Sequence, residues 1–139
     1  MRYLVLLMSL ATVASNCVAA ELPPALLVSK LASLAGSKSR NCGSVPQHED
    51  SASAIKCAKD ASAAGVPYLV SFQLENSDSI IWQGAAQDAR GKVWMLFYDS
   101  GSKDSTSLNS TFSVLPCKAM RFTEKGGEFL DCEPTSGER

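Results

Sequence analysis

Apolar residues follow three rhythms along this 139-residue chain, and the order of the rhythms predicts its architecture. The first is a continuous run. Tyr3 to Ala14 is apolar apart from Ser9 and Thr12, behind the short basic start Met1-Arg2. Such a run is too short to span a bilayer comfortably as a helix. It is followed by Val18-Ala19-Ala20, the small-x-small pattern of a signal-peptidase site. Residues 1–20 are therefore expected to be a secretory signal peptide, and residues 21–139 a single domain. Cys17 offers a second reading as a lipid-anchor site, which Asn16 in front of it fits poorly. No other apolar stretch reaches spanning length, so no membrane span is expected.

The second rhythm is helical. After Pro23-Pro24, Leu26, Leu27, Leu31 and Leu34 recur at helical spacing over 25–35, and Gly36 supplies a C-terminal stop. Residues 37–50 are polar, with Gly43 and Pro46, and read as a loop carrying Cys42. Asp50 or Ser51 can cap a second helix over 51–64. Its stripe of Ala54, Cys57, Ala58, Ala61 and Ala64 is small enough to sit close against a sheet, and Gly65 and Pro67 end it.

From Tyr68 the period falls to two. Tyr68, Val70, Phe72 and Leu74 alternate with Leu69, Ser71, Gln73 and Glu75, as in a strand buried on one face. A turn at Asn76-Ser77-Asp78 leads to a strand over 79–86. Asp88-Ala89-Arg90-Gly91 has the chemistry of a three-residue hairpin loop, and Lys92 to Asp99 forms the next strand. A short strand over 111–115 is expected to stop at Pro116. Residues 120–123 and 128–131 flank Gly126-Gly127 as a last hairpin. The predicted class is α+β, with one or two helices packed on a four- to five-stranded antiparallel meander.

The hairpin loop also fixes a register. If Asp88 pairs with Lys92, Trp82 faces Tyr98 and Ala86 faces Trp94. Those four residues and Leu96 then share one sheet face, and Ile81, Val93, Met95 and Phe97 share the other. Two outcomes follow. Either the helix over 25–35 covers the aromatic face, or Trp82, Trp94 and Tyr98 form a partly exposed surface that docks a partner.

Composition narrows the chemistry. Thirteen basic and fourteen acidic residues give a net charge of −1. Removal of the signal takes away only Arg2 among the charged residues, so the mature net charge is −2. Neither value gives the basic footprint that nucleic-acid binding needs. A single histidine, His48, excludes zinc sites built on several histidines, and no metal or other cofactor is expected. Without Cys17 the cysteines are Cys42, Cys57, Cys117 and Cys132. An even number in an exported chain reads as disulfides, with three possible connectivities. The equal spacing of 15 within each neighbouring pair suggests Cys42–Cys57 and Cys117–Cys132.

Catalytic signatures are sparse. His48 stands beside Glu49 and Asp50, and supports a rival reading as a small hydrolase or lyase that pairs His48 with a carboxylate. No Gly-x-Ser-x-Gly elbow occurs. Asp78 and Asp99 flank turns and read as turn residues, so no catalytic residue is assigned. The serine-rich stretch 100–110 is a candidate recognition loop, and Asn109-Ser110-Thr111 matches a glycosylation sequon.

The layout resembles a group of small exported bacterial proteins of unknown function. The matching residues are Cys42-Gly43, Cys57 in its alanine-rich helix, Gly65-Val66-Pro67-Tyr68, Asp78-Ser79, Gly91-Lys92-Val93, Tyr98-Asp99-Ser100, and Pro116-Cys117 followed by Cys132. Asn76 stands where that group carries glycine. A helix laid on a meander is also similar to PepSY-like and cystatin-like folds, which include inhibitors and regulatory modules. The expectation is an exported, periplasmic or secreted, non-catalytic domain that binds a protein, peptide or cell-envelope component. The alternatives are the His48 hydrolase or lyase, and a structural envelope protein.

Overall fold

A computed structural model describes residues 23–101 and 110–134. The expected signal peptide, Cys17, most of the serine-rich loop and Asn109 lie outside these residues. The elements are α1 (Ala25–Ala35), β1 (Arg40–Val45), α2 (Ala52–Ala63), β2 (Tyr68–Leu74), β3 (Ile81–Gln87), β4 (Val93–Asp99), β5 (Thr111–Thr123) and β6 (Gly126–Cys132). The six strands lie in sequence order in one mixed sheet: β1 runs parallel to β2, and every other neighbouring pair is antiparallel. None of the described helices is long and apolar enough to cross a membrane.

The class is α+β as expected, but the sheet is larger than four or five strands and not wholly antiparallel. The extra strand is β1, inside the stretch read as a loop. It leaves no alternating signal because it is an exposed edge that buries little of itself. Gly43 at φ 93°, next to a register shift between Asn41 and Ser44, further breaks its regularity. A parallel partner also requires the α2 crossover, a pairing that no local pattern announces. The strand expected to stop at Pro116 instead continues through it, as β5, to Thr123. The Pro116 carbonyl accepts from the Glu133 N–H at 3.1 Å. A residue's N and C=O point to the same side of an extended strand, so the missing N–H lies at the end of β6 and costs no bond to β4. The last turn is Glu124-Lys125, and Gly126 and Gly127 belong to β6.

Helix α1 covers the face carrying Trp82. Leu27, Leu31 and Ala35 pack on Leu69, Trp82, Ala86 and Leu96, flanked by Trp94, Tyr98, Phe112 and Val114. Burying each of these leucines is worth about 1.5–3 kcal/mol. Gly84 permits the close approach, since a Cβ there would meet Leu31 Cδ1 at 2.8 Å. Helix α2 lies on the other face. Its Ala54, Ile55, Ala58 and Ala61 pack against Tyr68, Val70, Phe72 and Ala85. Met120, Phe122 and Phe129 close this second core. Phe122 reaches the Tyr68 ring at 6.3 Å, so the sheet curls until the β5–β6 hairpin returns over β2.

The Asp88–Lys92 hairpin has the expected register, with Trp82 opposite Tyr98 and Ala86 opposite Trp94. Asp88 Oδ1 accepts from the Arg90 and Lys92 N–H groups, and Gly91 takes φ 79°. The disulfides are Cys42–Cys57 and Cys117–Cys132. The first ties the edge strand to α2, and the second staples facing residues of β5 and β6. In the β2–β3 turn Asn76 Oδ1 accepts from the Asp78 N–H, and its Nδ2 donates to the Ser79 hydroxyl oxygen.

Two outcomes test this packing. Leu31→Ala should cost about 2–5 kcal/mol and Gly84→Ala about 1–3 kcal/mol. In denaturant melts the double variant should be clearly more stable than the sum of the two losses, because the new methyl occupies vacated space. Burial pushes the Tyr68 hydroxyl up from 10.0 to about 12. The unfolded chain ionises first, so stability is held below pH 10.0 and falls as pH rises toward about 12. Tyr68→Phe should abolish that component when denaturation midpoints at about pH 9 and about pH 11 are compared.

Candidate functional site

The aromatic residues expected at a docking surface do not come to the surface together. Trp82 is 0% exposed beneath α1, and among the described residues its Nε1–H has no acceptor. Trp94 and Tyr98 are half-buried at the margin of the same core. The Lys92 ammonium lies 4.1 Å from the Trp94 ring centroid, so the chain's own cation occupies part of that ring. Asp78 and Asp99 do turn work: Asp78 Oδ1 accepts from the Ser77 hydroxyl and Asp99 Oδ1 from the Gly101 N–H.

A depression lies elsewhere, where the β1–α2 loop, the end of β2 and the β5–β6 turn meet. Three contacts build it. The Gln47 N–H donates to Gln73 Oε1 at 3.0 Å, which fastens the loop to β2. Asp50 Oδ1 accepts from the Ala52 N–H at 3.0 Å, giving α2 one of the orphan-donor partners that helix starts need. Ser51, the other expected cap, instead donates from Oγ to the Glu124 carbonyl at 2.9 Å and joins the start of α2 to the hairpin turn.

Two cavities flank this Ser51–Glu124 contact, and both residues line each of them. One, of about 360 Å³, has Val45, Pro46, Phe72 and Leu74 as apolar lining, with His48, Glu49, Glu75, Glu124 and Lys125 around them. The other, of about 660 Å³, runs between α2 and the hairpin over Ile55 and Phe122, with Asp50, Lys56, Lys59 and Asp60 along it. Lys56 and Asp60 form an ion pair at 2.6 Å on the exposed helix. Together the cavities make a groove with apolar lining and a charged rim.

His48 is thus at a cavity with three glutamates, and it adopts φ 71°, a conformation uncommon for a residue with a side chain. Among the described residues no hydrogen bond or ion pair joins its ring to a carboxylate. No three His, Cys, Asp or Glu side chains among the described residues converge as a metal ion requires. The arrangement can hold an extended segment that has both apolar and polar groups.

Sequence reasoning singled out His48 and its neighbours but missed Phe72, Leu74, Glu75, Ile55, Phe122, Glu124 and Lys125 as parts of one site. The equal cysteine spacing does point to the Cys42–Cys57 loop, which the structure contains. Nothing local could have brought residue 124 to residue 51, since that depends on the curl of the whole sheet. Comparison of the chain with protein-family models, with curated proteins and with solved structures gives no match.

Proposed function

We propose that this chain is an exported, non-catalytic domain that binds a protein or peptide partner in the groove between α2 and the β5–β6 turn. The observation that carries the reading is the pair of adjoining cavities meeting at Ser51 and Glu124. Each lies in the range of about 300–1,000 Å³ typical of ligand sites, and apolar lining with a few polar groups is the usual make-up of such sites. The groove is walled by a helix, a strand end and a tight turn, and a stiff site loses less entropy on binding. Two disulfides suit an oxidising compartment, and the charged run-in and small-residue site at residues 1–20 supply the route of export. The resemblance of the sequence layout to PepSY-like and cystatin-like folds, which include inhibitors and regulatory modules, is in keeping with a binding role.

A second reading is favoured by one observation, the placement of His48 at the first cavity with Glu49, Glu75 and Glu124. It makes the domain a hydrolase or lyase with His48 as general base. The binding reading expects no turnover of ester or peptide substrates that disappears in His48→Ala. A rate that does disappear would replace binding by catalysis.

The binding reading is tested by selecting peptides from a displayed library on oxidised residues 21–139. The selected peptides should lose about tenfold or more in affinity, roughly 1.4 kcal/mol, for Glu124→Trp, whose indole fills the groove from an exposed turn. They should bind Trp94→Ala/Tyr98→Ala as they bind the parent. The reverse pattern would move the site to the margin of α1, and failure to select any peptide would count against the reading.

A further inference from the structure

Resting on the groove reading, we infer that the segment it holds is cationic. A lysine or arginine side chain enters the cavity rimmed by Glu49, Glu75 and Glu124, and an adjoining apolar residue lies over Ile55 and Phe122. The apolar lining and the acidic rim together, rather than the acidic residues alone, match a lysine or arginine side chain. Lysine and arginine have apolar stems and charged heads, and bury the stem on apolar surface while the head stays among polar groups. The first cavity has that division: Val45, Phe72 and Leu74 line it, and three carboxylates stand around them.

The charge around the cavity is unbalanced. Among the described residues Lys125 is the one ammonium group lining it, against three glutamates, and none of these four takes part in an ion pair there. Along the second cavity Lys56 is engaged by Asp60, Asp50 holds the Ala52 N–H, and Lys59 remains. The groove as a whole is therefore acidic, in a chain whose net charge is itself negative. An acidic peptide meets repulsion at the first cavity, and among the described residues Lys59 and Lys125 are the unpaired cations along the groove that would attract it. Arginine fits better than lysine, because its planar fork can bind a carboxylate in two places.

Fluorescence anisotropy with three labelled peptides tests this. They alternate leucine with arginine, glutamine or glutamate and are otherwise identical. The oxidised domain should bind the arginine peptide about tenfold more tightly than the glutamate peptide at low salt, with the preference shrinking as salt is added. Each of Glu49→Gln, Glu75→Gln and Glu124→Gln should weaken the arginine peptide about two- to fivefold. Lys125→Gln should tighten it by about twofold. Equal binding of all three peptides, with Glu124→Trp abolishing it, would leave the groove as the site and overturn its cationic preference. An arginine preference unchanged in the triple glutamine variant would place the recognition elsewhere and overturn the inference too. If no peptide binds, the groove reading itself falls.

Discussion

Strand β2 is packed between both helices, and the rest of the molecule is arranged by that burial. Its first five residues are buried without a break. Tyr68, Val70 and Phe72 belong to the core under α2, while Leu69 belongs to the core under α1. Side chains alternate strictly between faces, so a one-residue slip would exchange the two cores and drive tyrosine into the space that Leu31 fills. The polar residue in this run, Ser71, is satisfied by donating to Ser44 Oγ at 2.7 Å, which also draws β1 alongside. Gln87, buried at the far end of β3, accepts from Ser62 at the end of α2. Both buried polar groups are thereby used to fix where neighbouring elements lie.

The groove follows from this arrangement. Because β1 runs parallel to β2, the chain must leave its end, cross over in α2 and come back. The loop over 46–51 that starts the crossing is held close to the end of β2. Cys42–Cys57 limits how far α2 can swing from β1, and Gln47 and Ser51 bind the loop to β2 and to the hairpin turn. The far wall exists because the sheet curls, bringing Phe122 to Tyr68 and Gly126 to Phe72. The groove is thus assembled from three segments far apart in sequence, each on a strand or helix end.

This explains which parts could be read from sequence. The two helices declare themselves through periodic leucines and alanines, and the β3–β4 hairpin through Asp88 and Gly91, because those signals are local. The register that follows from the hairpin groups Trp82, Trp94, Leu96 and Tyr98 on one face, and of the two outcomes for that face, cover by α1 or a partly exposed docking surface, the structure shows α1 packed on it. Edge strand β1 stayed hidden because it buries too little to alternate and pairs only after the crossover. Pro116 looked like a stop because its missing donor is harmful in most ladder positions, and only the early end of β6 spares it. Of the groove, His48, Glu49, Asp50 and Ser51 attracted notice as a helix approach. Their partners at 72–75 and 122–125 did not, since nothing short of the curled sheet brings them together.

Cys42 packs with the α2-side core and not with the α1-side one, so the Cys42–Cys57 bond should position the groove wall without supporting the core beneath α1. Amide hydrogen exchange on the oxidised domain and on Cys42→Ala/Cys57→Ala measures this most directly. Without the bond, which should be worth about 3 kcal/mol, the amides of residues 40–49 and the first turn of α2 should exchange much faster. Those of β3 and β4 beneath α1 should keep their order of protection, reduced only by the global loss. Equal loss of protection everywhere, or an unchanged 40–49 segment, would contradict the account.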